Sequence, residues 1–126
     1  MTAQRVLVVD DDPVVRELLC EYLRQIGYEI SVAGTAFEAL GVMRAERPDA
    51  VLLDLNMPGP VGGAAVVDQI ATHVPVVILT GSGDAEIAVR TLHAGAFDFL
   101  MKPVDLKRLG ERIKSAIADG SPRRQE

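Results

Sequence analysis

The stretch Val51–Gly59, read as VLLDLNMPG, decides the fold of this chain. Residues 50–53 are all apolar and are followed by Asp54. An uninterrupted apolar run of this length predicts a strand buried on both faces. Such strands belong to parallel sheets, and their carboxyl ends open onto the crevice in which α/β proteins bind ligands. Pro58 and Gly59 predict a tight loop next. We therefore expect Asp54 at a ligand-binding edge, although this stretch alone also allows an aspartate that only caps a turn.

Similar strand signals recur along the chain. Residues 6–9 read VLVV, residues 76–79 read VVIL, and residues 97–101 read FDFLM. A shorter alternating stretch at 28–33 predicts a strand with Tyr28, Ile30 and Val32 on one face. Together with the stretch at 50–54, these segments predict five strands.

The segment after the first strand shows the clearest helical periodicity. Asp12 and Pro13 suit the N-cap and the first helical position, and Gly27 suits the residue that ends the helix. Cys20, the only cysteine, excludes an intrachain disulfide, fits a reducing compartment and is expected to be half-buried. The spacing of the apolar residues predicts one buried stripe, formed by Val15, Leu18, Leu19, Tyr22, Leu23 and Ile26.

Capping signals predict the remaining helices. Thr35 and Glu38 fit a capping box, Asp84 is expected to cap the fourth helix, and Asp105 is expected to start the fifth. The third helix is predicted at about residues 63–73, and the fourth, whose apolar stripe is thin, is expected to be the least firmly packed. Five strand–helix repeats predict an α/β fold with a parallel sheet, helices on both faces and the strand order 2-1-3-4-5.

Composition limits the possible functions. The chain has 126 residues, of which 48% are hydrophobic and 25% charged, as in one globular domain. Its net charge of −5 gives no indication of nucleic-acid or membrane binding, and the sequence shows neither a secretory signal nor a membrane span. We expect a cytoplasmic protein with one domain over residues 1–119. The polar residues 120–126, GSPRRQE, are expected to form a tail or the start of a linker.

Polar residues stand at the carboxyl ends of the predicted buried strands. Because the carboxyl ends of parallel strands lie at one edge, three carboxylates are expected to crowd together there, facing a hydroxyl and an ammonium group. Mg²⁺ relieves such crowding, and the hydroxyl and ammonium groups suit a phosphoryl group. Asp54 would attack the phosphorus atom of that group. Each of these residues alone is more often a helix cap or a solvated charge, but their joint occurrence at one edge favours a site for Mg²⁺ and a phosphoryl group. The residues of this predicted site are Asp54, Asp10, Asp11, Thr80 and Lys102.

The motifs VLVVDDD, LLDLNMPG, ILTGSGD and FLMKP together resemble the receiver domain of bacterial two-component response regulators. The resemblance covers nearly the whole chain and implies that Asp54 is the phosphoacceptor. It also implies that Asp11 is a direct Mg²⁺ ligand, that Asp10 acts mainly through water, and that Asn56 lends its backbone carbonyl. Lys102 would bind the phosphoryl group.

The same resemblance implies a signalling switch. Thr80 is similar to a hydroxyl that moves toward the phosphoryl group, and Phe99 to an aromatic residue that swings inward with it. A cis peptide bond is implied before Pro103. A sensor histidine kinase or a phosphotransfer protein would donate the phosphoryl group, and the face made by the fourth helix, last strand and fifth helix would change. That change would act on a target protein or an attached effector domain, or drive formation of a homodimer.

Two other functions stay open at the level of sequence. A small Mg²⁺-dependent phosphatase with an aspartate nucleophile, of the haloacid-dehalogenase kind, also uses an aspartate at a strand end. Such enzymes typically carry a second aspartate two residues later, where this chain has Asn56. A flavodoxin-like electron carrier needs a loop rich in Ser, Thr and Gly after the first strand, but this loop reads DDDP and would repel a phosphate in the absence of a metal.

Overall fold

The computed structural model describes residues 3–56, 63–81 and 85–119. The sequence-based expectations for Pro58–Gly59, Asp84 and residues 120–126 lie outside these ranges. Within them, strands and helices alternate in this order: β1 Arg5–Val9, α1 Pro13–Gln25, β2 Glu29–Ala33, α2 Ala36–Glu46, β3 Ala50–Asp54, α3 Gly63–Ala71, β4 Val76–Thr80, α4 Ala85–His93, β5 Asp98–Met101 and α5 Leu106–Asp119. All neighbouring strands are parallel and the order is β2-β1-β3-β4-β5, so the predicted topology is confirmed.

The three central strands separate two apolar layers. In β1, Leu7 and Val9 point into one layer with residues of α2 and α3, while Val6 and Val8 point into the other with residues of α1 and α5. Successive strand residues alternate between the faces of a sheet, so a run that is apolar at every position fills both layers. Every residue of β3 and β4 is buried, which is why their sequences show no polar alternation.

The buried stripe of α1 is narrower than its spacing predicts. Leu19, Leu23 and Cys20 are buried, but Leu18 is 56% exposed and Ile26 is 46% exposed, so the prediction was wrong for these two residues. Neighbouring helical residues differ by about 100° in direction, and the sheet-facing direction of α1 lies between Leu19 and Cys20. Ile26 is the C-cap residue, outside the regular helix. Cys20 is fully rather than half buried for the same reason.

The edge strand and the helix ends show smaller differences from the predictions. Val32 is 47% exposed because β2 pairs with β1 alone, whereas Tyr28 and Ile30 pack against the layer of α1 and α5. The third helix ends at Ala71 rather than His73. No helix in the described ranges is long and apolar enough to cross a lipid bilayer.

A side-chain cap begins α2. Thr35 Oγ1 accepts a hydrogen bond from the backbone N–H of Glu38 at 3.0 Å, as the capping box predicts. Glu38 Oε1 accepts from the backbone N–H of Gly34 at 2.7 Å, one residue before the expected partner. The two bonds satisfy backbone donors on both sides of the helix start.

Removing this cap should destabilise the domain measurably. We expect Thr35→Ala to lower the free energy of unfolding by about 1 kcal/mol, because the N–H of Glu38 loses its acceptor. Thr35→Ser keeps the hydroxyl and should stay within about 0.5 kcal/mol of the parent. Urea denaturation followed by circular dichroism measures both variants, and equal losses for the two would contradict the capping role.

Candidate functional site

The carboxyl edge of the sheet brings together the polar residues expected there. Asp54 ends β3, Thr80 ends β4, Asp10 follows β1 directly, and Lys102 follows β5. Leu53 pairs with Val9 in the register of β3 and β1, and Asp54 pairs with Leu79 in that of β3 and β4. The parallel arrangement therefore aims the ends of four strands at one pocket, which we call the acidic pocket.

Three carboxylates form the floor and rim of the acidic pocket. One oxygen each of Asp10, Asp11 and Asp54 lies within 4.8 Å of the other two. Asp10 and Asp54 are buried, and Asp11 is exposed. Burial raises the pKa of Asp10 above its ordinary value, the hydrogen bond from Asp12 N–H opposes this, and the negative charge of Asp54 raises the pKa further. The cluster therefore places two buried carboxylates and one exposed carboxylate close together.

The carboxylate of Asp54 is held by a hydrogen bond on each oxygen. Its Oδ2 accepts from Lys102 Nζ at 3.0 Å, and its Oδ1 accepts from the backbone N–H of Asn56 at 2.9 Å. Lys102 keeps about a third of its side chain exposed, whereas Asp54 is 3% exposed. The backbone N–H of Lys102 donates to the carbonyl of Thr80 at 2.8 Å, so the ammonium group is positioned by the end of β4.

Two buried polar atoms in the acidic pocket lack a hydrogen-bond partner among the described residues: Asp10 Oδ2 and Thr80 Oγ1. The other oxygen of Asp10 accepts from the backbone N–H of Asp12 at 2.9 Å. Buried polar atoms without partners are rare and destabilising, and they often mark a place where a ligand completes the site. Clustered carboxylate oxygens, one of them free, are hard donors of the kind that Mg²⁺ prefers, so these residues fit that ion.

Sequence reasoning missed Arg16. Its Nη1 donates to the backbone carbonyl of Asp10 at 2.8 Å, and so steadies the turn that carries the acidic residues. A Cβ atom on Gly34 would lie 3.2 Å from this nitrogen, so the glycine leaves room for the guanidinium group. The only available signal was a basic residue one turn into the helix that starts beside the pocket.

The amide of Asn56 connects two loops at this edge. Its Oδ1 accepts from the backbone N–H of Gly81 at 2.9 Å, so the residue after β4 is tied to the turn after β3. Phe99 lies away from the carboxylates: it pairs with Ile78 in the sheet and packs, partly buried, against the layer of α2 and α3. The peptide bond between Lys102 and Pro103 is cis, which confirms what the resemblance implied.

Comparisons with known proteins agree with this arrangement. The model of the family described as "Response regulator receiver domain" matches residues 6–114. The DNA-binding response regulator MtrA of Mycolicibacterium smegmatis is 42% identical over 115 residues, which are 90% of this chain and 50% of that protein. The response regulator protein PilR of Pseudomonas aeruginosa is 37% identical over 128 residues, covering 100% of this chain and 29% of that protein.

Solved structures show the same likeness. The crystal structure of the receiver domain of NtrX from Brucella abortus has a TM-score of 0.85 at 34% identity, covering 90% of this chain and 98% of that one. A CheY-like receiver domain protein from Methanospirillum hungatei has a TM-score of 0.87 at 30% identity, covering 94% and 97%. The chain spans about half the length of the MtrA relatives that it matches.

Proposed function

Because the chain belongs to the response regulator receiver domain family, we propose that it is a signalling switch in which Asp54 accepts a phosphoryl group. The observation that carries the proposal is the setting of Asp54. Its carboxylate is buried, is fixed by hydrogen bonds on both oxygens, and lies between two further carboxylates and an ammonium group. This setting orients a nucleophile and supplies positive charge for the oxygens of an incoming phosphoryl group.

The donor is a phosphohistidine of a sensor kinase or a phosphotransfer protein. An Asp54 oxygen attacks the phosphorus atom, the phosphorus–nitrogen bond of the donor breaks, and the released imidazole takes up a proton from water. The product is an aspartyl phosphate. The Lys102 ammonium group, which bonds to Asp54 Oδ2 before the reaction, then pairs with a phosphoryl oxygen.

The proposed metal ligands are Asp10, Asp11, Asp54 and the backbone carbonyl of Asn56. When bound, Mg²⁺ supplies positive charge that offsets the mutual repulsion of the carboxylates and the phosphoryl oxygens. Asp10 contributes mainly through water, with its buried Oδ2, the carboxylate oxygen that has no partner elsewhere in the described ranges. Arg16 keeps the backbone of Asp10 in place, through a hydrogen bond rather than by touching the reacting atoms.

Thr80 and Phe99 carry the proposed switch. Thr80 Oγ1 is buried and has no partner among the described residues, so its hydroxyl is free to donate to a phosphoryl oxygen on Asp54. Phe99 lies on the neighbouring strand β5, where it is only partly buried and can follow a shift of Thr80. The readout is the face of α4, β5 and α5, which acts on a target protein, an attached effector domain or a second copy of the chain.

The phosphatase alternative receives no support from the pocket. An aspartate-nucleophile phosphatase of that kind typically has a second aspartate as acid and base two residues after the nucleophile. Asn56 occupies this position, its amide has no ionisable proton for acid–base work, and its Oδ1 already accepts from Gly81 N–H. We therefore propose that the chain promotes only its own phosphorylation and dephosphorylation.

Intact-mass spectrometry tests the proposal directly. After incubation with acetyl phosphate and Mg²⁺, we expect the parent chain to gain one phosphoryl group, and Asp54→Asn to gain none. A chelator should abolish the gain. Asp68→Asn changes an exposed aspartate of α3 outside the pocket and should behave like the parent. An unmodified parent chain under all of these conditions, or a modified Asp54→Asn, would contradict the assignment.

A further inference from the structure

A groove lies at the amino edge of the sheet, opposite the acidic pocket. It is bounded by the carboxyl-terminal ends of α2 and α3, and its volume is about 560 Å³. Small-molecule sites typically measure about 300–1,000 Å³ and combine apolar walls with a few polar groups. The groove has this composition, and its apolar walls are Leu40, Met43, Pro48 and Val74.

The polar groups of the groove are basic or neutral. Arg44, Arg47, His73 and Gln69 line it, and no acidic residue of the described part of the chain does. Four other arginines, Arg5, Arg24, Arg90 and Arg112, lie within 4.0 Å of a carboxylate. The guanidinium groups of Arg44 and Arg47 have neither an ion pair nor a hydrogen bond to any residue in the described ranges. In a chain of net charge −5, this is a local concentration of unpaired positive charge.

The backbone of Arg47 gives an independent observation. With φ of 48° and ψ of 64°, it is the only non-glycine residue with positive φ among the described residues. Its N–H donates to the carbonyl of Met43 at 3.1 Å and closes α2. Glycine adopts this conformation without the steric cost that a side chain incurs. A strained arginine at a position that glycine would occupy more easily points to a use for its side chain.

We propose that this groove binds a small amphipathic anion, a molecule with a carboxylate or phosphate group on a short apolar body. The guanidinium groups of Arg44 and Arg47 hold the anionic group, because a guanidinium matches both kinds of oxygen pair. The apolar body packs against Leu40, Met43 and Val74. His73 and Gln69 add hydrogen bonds. The site lies at the other edge of the sheet from Asp54, so it requires no phosphorylation.

Titrations of the ¹⁵N-labelled chain with three probes test this site. Nonanoate, octyl phosphate and octanol share an eight-carbon alkyl chain and differ in the head group. We expect the two anions to shift the amide signals of residues 40–48 and 69–74 saturably, with octanol at least about tenfold weaker. The tighter of the two anions identifies the head group. Equal affinity for octanol would show apolar trapping only and would overturn the proposal, as would shifts confined to other residues.

Matched variants distinguish a specific role of Arg44 and Arg47 in anion binding from an effect of net charge. Arg44→Gln and Arg47→Gly should each weaken anion binding about tenfold. Arg24→Gln removes the same charge from α1, on the other face of the sheet, and should bind like the parent. Arg47→Gly should also unfold at a temperature no lower than the parent, since glycine relieves the strained conformation. Unchanged anion affinity in both groove variants would overturn the proposal. Asp54→Asn should keep the anion affinity of the parent, so this experiment tests the groove independently of phosphorylation at Asp54.

Discussion

Asp10→Asn should be more stable than the parent chain in metal-free buffer and should lack the stabilisation that we expect Mg²⁺ to give the parent. Three carboxylates lie within 4.8 Å of one another, so removing one negative charge relieves repulsion of about 1–2 kcal/mol. The asparagine Oδ1 can still accept from Asp12 N–H, and the new amide can donate to a neighbouring carboxylate. We therefore expect the variant to lose the proposed Mg²⁺ binding while its folded state becomes more stable.

The pH dependence of this difference has a definite sign. Since the pKa of Asp10 is raised in the folded chain, the folded state holds its proton more tightly than the unfolded state does. The parent therefore regains stability relative to Asp10→Asn as the pH falls from the raised pKa toward the ordinary value of 3.8. Above the raised pKa, the difference in unfolding free energy between the two chains should be constant.

Thermal and urea denaturation, each with chelator and with excess Mg²⁺, measure these effects. The parent should gain stability with Mg²⁺ in proportion to the logarithm of its concentration above the dissociation constant, and Asp10→Asn should show little gain. Glu21→Gln, which removes an exposed charge on α1, controls for net charge. A less stable Asp10→Asn in chelator would show that the repulsion is not costly, and an undiminished Mg²⁺ response would remove Asp10 from the proposed ligands.

Leu19→Ala should lower the free energy of unfolding by about 2–5 kcal/mol, whereas Leu18→Ala should change it by less than about 1 kcal/mol. Leu19 is 1% exposed and packs between α1 and the sheet, and Leu18, its neighbour in the helix, is 56% exposed. The two variants make the same chemical change in one helix, so the difference in helix propensity cancels. Their difference in stability therefore measures burial alone.

Urea denaturation with a common slope for both variants gives the comparison. Equal losses would mean that α1 is rotated about its axis from the orientation described here, with both leucines partly buried. A large loss for Leu18→Ala alone would place Leu18, rather than Leu19, against the sheet. Circular dichroism without urea checks that each variant keeps its secondary structure, so that two folded chains are compared.

The sheet and the acidic pocket were largely predictable because both depend on local signals. Runs such as Val51–Leu53, which are apolar at every position, are typical of strands that are buried on both faces and pair in parallel. Once the strands are parallel, Asp54, Thr80 and Lys102 must meet at one edge, whatever the details of packing. The positions of these residues followed from topology and needed no knowledge of side-chain contacts.

The features that escaped prediction depend on how the elements pack. The exposure of Leu18 depends on the rotation of α1 against the sheet, which a spacing of three and four residues leaves undetermined to within one position. The contact of Arg16 with Asp10 requires the space beside Gly34, which β2 and α2 provide together. The groove beside Arg47 exists only because two helices end next to each other.

The ion pair between Lys102 and Asp54 joins two strands that are not neighbours. Asp54 ends β3 and Lys102 follows β5, so their 3.0 Å contact passes over the end of β4, which lies between them. The same lysine is bonded through its backbone to Thr80 at that strand end. A change of charge on Asp54 therefore reaches the outer strand through one side chain, in a single step that bypasses the apolar layers. One ion pair and one backbone hydrogen bond therefore connect the acidic pocket to the outer strand.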